Sequence, residues 1–227
     1  MLPFSALDYF SVIWFFAVWI GYQRFADRCA KRGRPSLMSA MGRYRVDWWR
    51  EMLARELRIV DVTIIANLSN SATFFASTTL LILGGLLALL GTSERVIAVM
   101  AELPFAAGDE EVLWEYKILL LIVIFVYAFF KFTWSLRQHN FCSVLVGASP
   151  SHEDDPARRA DFVARSARIA TSAADNFNYG LRAYYFGLAA LGWFMNDWIF
   201  IVGTALVAAV LYWREFHSGA LRVLMRP

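Results

Sequence analysis

Apolar residues run along this chain in long blocks, and the intervals between them are rich in arginine. A helix rises about 1.5 Å per residue, so roughly 20 apolar residues cross a hydrocarbon core about 30 Å thick. On that scale the pattern predicts five membrane-spanning helices, over 4–22, 62–90, 112–134, 180–195 and 198–213. The stretch 62–90 holds 29 residues without a charge. Its first half nevertheless carries Asn67, Ser69, Asn70, Ser71, Thr73, Ser77 and Thr78. The third block keeps an uncharged centre only between Lys117 and Lys131, which are expected to snorkel to opposite interfaces. The last apolar stretch, 183–213, is broken at Asn196 and Asp197. One undivided helix would set a carboxylate near the middle of the bilayer, so two short spans turning at this pair are expected. A four-span arrangement is the alternative.

Two polar intervals also read as helices, over 36–58 and 156–176. Ser36 is a suitable N-cap, and Trp48, Trp49, Met52 and Leu53 make an apolar patch among Arg and Glu, with Glu51 and Arg55 at i,i+4. This pattern predicts a helix lying on the membrane surface, or one continuous with the second span. The other interval opens with Asp155 and Pro156, an N-cap acid before a first-turn proline. Ala160, Val163, Ala167, Ala170, Ala174 and Phe177 then recur at 3,4 spacing, a small-residue seam that admits a close neighbour, from the 36–58 helix or from a second copy. Gly180, Ala183, Gly187 and Ala190 continue this logic along the fourth span. The fold class expected is an all-α membrane bundle in a single domain.

Charge decides the orientation. From 23 to 58 there are ten basic residues against four acids, and from 91 to 116 one, Arg95, against six. The positive-inside rule puts the first interval in the cytoplasm and the second outside. The N-terminus with Asp8 is then outside, and the tail with Arg214, Arg222 and Arg226 is cytoplasmic. The first apolar block has no basic start and no small-residue cleavage site, so it is expected to be retained as a span. With 59% hydrophobic and 18% charged residues, a separate soluble domain is not expected.

Candidate chemistry is sparse. Asn67, Asn70, Ser71, Ser77 and Thr78 stack along one side of the second span with Phe74 on the same stripe. That arrangement admits two readings. Asn67, Asn70, Ser71 and Thr78 line a polar path that Phe74 narrows, or the same groups form hydrogen bonds between helices. Asp61 and Lys131, near the cytoplasmic ends of their spans, are expected to pair, with Arg58 competing for the same carboxylate. His139, His152 and His217 are far apart, and His139 with Cys142 makes only two ligands, so no metal site is expected. Cys29 and Cys142 are both expected as cytoplasmic thiols. The sequence contains no phosphate loop, HExxH or GxSxG, so no catalytic residue, no cofactor and no enzymatic activity are expected. Arginines at the membrane face attract anionic lipids, and topology accounts for them without nucleic acid.

Three blocks, SNSATFFASTTLLILGGL (69–86), KFTWSLRQHNFCSVLVGASP (131–150) and FNYGLRAYYF (177–186), resemble the domain of unknown function 599 family of bacterial and plant integral membrane proteins. The resemblance covers nearly the whole chain and implies a bacterial inner-membrane location. It carries no activity to transfer. It does imply that the polar second span, the 131–140 segment and the 178–182 turn form one cytoplasm-proximal assembly, with Arg137, Gln138, Asn140, Asn178 and Arg182 as polar members beside Asp61 and Lys131. Two functions fit these residues: an oligomeric passive channel for a small ion or polar solute, or a non-catalytic accessory subunit of a larger membrane complex.

Overall fold

Five helices start where Ser5, Ser36, Asp155, Asn196 or Ser218 supplies a side-chain acceptor for a free N–H group. The computed structural model describes residues 5–91 and 111–225, so the acidic stretch from 92 to 110, with Arg95, and the tail position Arg226 lie outside the described residues. Helix α1 (Ala6–Lys31) opens with a capping box. Ser5 accepts the Asp8 N–H at 3.2 Å, and Asp8 accepts the Ser5 N–H at 2.8 Å. Gly33, at φ +70°, turns the chain in a conformation that favours glycine. Ser36 then caps α2 (Leu37–Ala54). This helix ends four residues before the expected boundary, and residues 55–58 link it to α3 (Ile59–Leu90), so the two are not continuous.

Helices α4 (Glu111–Gly147) and α5 (Pro156–Leu191) are longer than the expected elements. The third span continues 13 residues past its expected end, and the 156–176 helix and the fourth span form one element. Polarity changes along both, but a change of polarity does not interrupt the i→i−4 ladder, and no proline falls inside either helix. Asp155 caps α5. The chain turns through a 3₁₀ segment, Gly192–Phe194, and Asn196 caps α6 (Asp197–Phe216) by accepting the Trp198 N–H at 2.7 Å. A short α7 (Gly219–Leu224) closes the described chain.

The described residues form an all-α bundle, in which three stretches are long and apolar enough to cross a membrane: Ile59–Leu90, Val112–Gly147 and Asp197–Leu224. Helix α4 lies between α3 and α5 and runs antiparallel to both. Phe75 of α3 stacks on Phe132 of α4 at 5.2 Å, and Ser135 of α4 donates to the Ala173 carbonyl of α5 at 2.7 Å. Gly180 is what permits the α4–α5 approach, since a Cβ there would stand 2.6 Å from the Phe132 ring. Helix α1 packs beside α6 and α5, with Phe15 against Phe200 and Phe186.

Two cores result. The larger joins α1, α3, α4, α5 and α6 around Phe15, Trp19, Phe125, Phe132 and Phe186. The smaller lies beyond it, where α2 covers the projecting parts of α3, α4 and α5, around Trp49, Met52, Leu53, Cys142, Val163 and Ala167. Trp49, Met52 and Leu53 are therefore spent on protein, not on a membrane surface. The alanine seam finds its partner within the same chain, although Ala160 remains exposed. At the opposite end Trp193 donates to Asp8 at 3.3 Å and Ser11 to Asp197 at 3.2 Å. Lys117 does not snorkel outward there. It is buried, with its ammonium 5.5 Å from the centre of the Trp193 ring.

Candidate functional site

The register of α3 against α4 decides what each polar residue meets. With Phe75 opposite Phe132, Lys131 lies level with Ala76. Asp61 is fifteen residues below that level, roughly 22 Å away along the axis. The expected Asp61–Lys131 pair therefore does not form. Asp61 is fully buried, and its Oδ1 accepts from the Trp48 indole N–H at 2.7 Å and from Arg55 at 2.6 Å. Arg55 thus turns to Asp61, not to Glu51. Arg58 donates to the Val146 carbonyl at 3.4 Å and to Ser149. The Lys131 ammonium donates to Asn176 at 3.3 Å and lies over the rings of Tyr127 and Tyr179.

Helix α3 buries one face only. Asp61, Ile65, Ala72, Ala76, Thr79 and Leu86 face the bundle. Asn67, Asn70 and Phe74 are exposed on the opposite face, Phe74 at 65%, while Ser71 is exposed at the edge nearer the bundle and Thr78 is half-buried. The Ser71 hydroxyl returns to the Asn67 carbonyl at 3.1 Å. Neither the Asn67 nor the Asn70 amide forms a side-chain hydrogen bond to another described residue. By the same register Asn70 lies roughly 9 Å, and Asn67 roughly 14 Å, past the level of Lys131 toward α2. Arg24 is exposed one residue from Gln23, which donates to the Tyr127 hydroxyl at 3.0 Å, so exposed arginine appears at nearly the same level.

The cytoplasm-proximal residues divide into three groups. Gln138 donates to Ser172 at 2.7 Å and accepts from Asn176 at 3.0 Å, a buried amide bridge between α4 and α5. Arg137 and Asn140 point outward, Arg137 lying over its own helix neighbour Phe141. Asn178 and Arg182 line hollows under α2. One hollow, about 300 Å³, is bounded by Arg45, Ser71, His139, Cys142 and Asn178, and His139 Nδ1 there has no hydrogen-bond partner. The other, about 260 Å³, is bounded by Arg45, Asn178, Arg182, Arg214 and Glu215. Arg45 and Asn178 belong to both.

Several residues of this region escape a reading of the sequence. Asp27 accepts from the Tyr179 hydroxyl at 2.9 Å, and Glu215 accepts from the Met38 N–H at 3.1 Å. Both acids approach Arg182, Asp27 to 4.0 Å and Glu215 to 3.9 Å. They come from helices 155 and 33 residues away in sequence, and no local pattern marks them. Asn176 falls next to Phe177 of the alanine seam, where a polar residue was the available signal. Burial lowers the pKa of Arg45, an effect that Asp175 opposes, and burial raises that of Asp175, which Arg45 opposes. Among the described residues no three His, Cys, Asp or Glu side chains are grouped to hold a metal ion. The arrangement offers donors and positive charge to an anion. No curated protein and no solved structure matches the chain. Residues 10–220 match the family described as a protein of unknown function, DUF599, and the chain belongs to that family.

Proposed function

We propose that this is a non-catalytic, multi-pass membrane protein that self-associates through the outward face of α3 and there offers a passive path to a small ion or polar solute. The single observation that carries this reading is that face: Asn67, Asn70 and Phe74 point away from their own bundle, Ser71 stands at its edge, and the two amides find no partner in the bundle. Around an axis shared by several copies, these amides and hydroxyls form a hydrated vestibule at the arginine-rich end. Phe74 narrows it, and Thr78, Gly85 and Ala88 continue the stripe beyond. Helix ends support five passes in a bacterial inner membrane. Asp8, Lys117, Trp193 and Asp197 gather at one end, outside, while Arg24, Lys131 and Arg214 gather at the other, facing the cytoplasm and its anionic lipids.

The same face fits a helix of a foreign complex, which would make the chain an accessory subunit. Particle mass in a mild detergent, followed by potassium and chloride flux in liposomes, separates the two. The path predicts a closed homo-oligomer whose flux Asn70→Leu abolishes and Phe74→Ala raises, with helix content unchanged. A single copy bound to foreign chains, or an oligomer that conducts neither ion, rejects the path.

A further inference from the structure

The 260 Å³ hollow under α2 has no part in a path along α3. It sits on the other side of α5, between α2 and the end of α6. Arg182 forms part of its wall at 4% exposure, and Arg182 Nη1 has no hydrogen-bond partner. Its Nη2 reaches only the Met38 sulfur, at 3.2 Å. The two acids that face it, Asp27 at 4.0 Å and Glu215 at 3.9 Å, are beyond hydrogen-bond distance and hold other donors. A buried guanidinium with an unused N–H is costly unless an acceptor completes it.

The remaining charges of the hollow have the same sign. Arg45 lines one side and Arg214 stands exposed at the rim, held to the Tyr185 hydroxyl at 2.7 Å and over its ring. Three arginines thus border the space, with the carboxylate of Glu215 in its lining and that of Asp27 4.0 Å from Arg182. Asp175 faces Arg45 from α5, and Lys131 lies nearby, turned to Asn176. Guanidinium groups converging from three helices suit the several oxygens of a tetrahedral oxyanion, which accepts forked donors from more than one side. Leu37, Met41 and Leu211 supply an apolar wall for whatever the oxyanion is attached to.

We propose that this hollow binds a phosphate group, with Arg182 at its base, Arg45 at its side and Arg214 closing the rim. The phosphate belongs either to a phospholipid headgroup or to a small soluble molecule, and the chemistry of recognition is shared. Native mass spectrometry of the full chain released from nanodiscs of phosphatidylglycerol or of phosphatidylcholine tests the lipid source. Thermal unfolding in detergent with sodium phosphate, against sodium chloride of equal ionic strength, tests the soluble one, since a ligand that binds only the folded state raises the unfolding temperature. Arg45→Gln and Arg214→Gln, whose side chains are less buried than that of Arg182, accompany each arm. A lipid site predicts one retained phosphatidylglycerol per chain, reduced at least tenfold in both variants. A soluble site predicts a phosphate-dependent rise in unfolding temperature that both variants lose. Neither signal in the folded wild-type chain, or signals that both variants retain in full, overturns the proposal.

Discussion

A single buried oxygen shows how side chains fix this protein where the backbone leaves freedom. Asp61 Oδ1 holds both the Trp48 indole and Arg55, and so ties the start of α3 to α2 across the 55–58 link. The two partners are unequal. The Asp61 side chain is 0% exposed and that of Arg55 is 43% exposed, so Arg55 can return to water when the carboxylate is lost, but the Trp48 N–H is left without its acceptor. Removing one member of a fully buried pair costs about 3–5 kcal/mol. The exposure of Arg55 lowers the expectation for Asp61→Leu to about 2–3 kcal/mol, the scale of a buried donor unpaired and a charge-assisted bond lost. Arg55→Gln leaves the buried Asp61 carboxylate without its cation and should cost more, about 3–5 kcal/mol, the scale of a buried pair broken so that the charge stays behind. Thermal unfolding in detergent, followed by tryptophan emission, measures both. An Arg55→Gln loss below about 1 kcal/mol, the scale of an exposed pair, would refute the pairing of Arg55 with the buried carboxylate.

Among the elements, the contact of α4 with α5 is the most sharply defined. Gly180 faces Phe132, which is fully buried among Phe75, Phe177 and Tyr184, so the ring has no open side to move into. Gly180→Ala should therefore cost about 1–3 kcal/mol, as overpacking does. Gly187→Ala should cost less, because its nearest atom would stand at 3.3 Å instead of 2.6 Å. Unfolding temperatures of the two variants rank them, and Phe132→Leu should restore much of the Gly180→Ala loss. Additive effects in that double variant would refute the contact. The sequence makes this contact legible, since Gly180, Ala183, Gly187 and Ala190 recur on one face of a helix and all four are buried. Helix length was not legible in the same way. Arg158–Arg168 and the apolar residues after Ala183 read as separate elements because their solvents differ, yet one hydrogen-bonded ladder runs through both. The polar stripe of α3 was visible as a periodicity, but its depth depends on register with α4, which no pattern inside 62–90 specifies. The acids beside Arg182 depend on three helices meeting, and pairing by local charge pointed instead to Asp61 and Lys131.

For the whole molecule, the decisive question is which way the bundle faces, because the polar face of α3 proposed as a vestibule and the arginine hollow lie toward the same end. Alternation of helix direction makes the two ends distinct in composition: Met195 is exposed at the end with Asp8, Trp193 and Asp197, and Ser151 is exposed at the end with the α4–α5 connection. Cys29 and Cys142 are buried, so a brief reaction with a membrane-impermeant maleimide should spare them and report on introduced thiols. Met195→Cys should label in intact cells, and Ser151→Cys only after the membrane is opened. The reverse pattern would invert the protein and contradict the positive-inside reading of its arginines. A Met195→Cys thiol that resists labelling on both sides would place the α5–α6 turn within the bilayer, against the capped turn at Asn196, and would favour four crossings over five. The predicted pattern instead puts the buried Arg182, the half-buried Arg45 and the exposed Arg214 where cytoplasmic anions and inner-leaflet headgroups can reach them, a placement that both the proposed phosphate site and the proposed vestibule require.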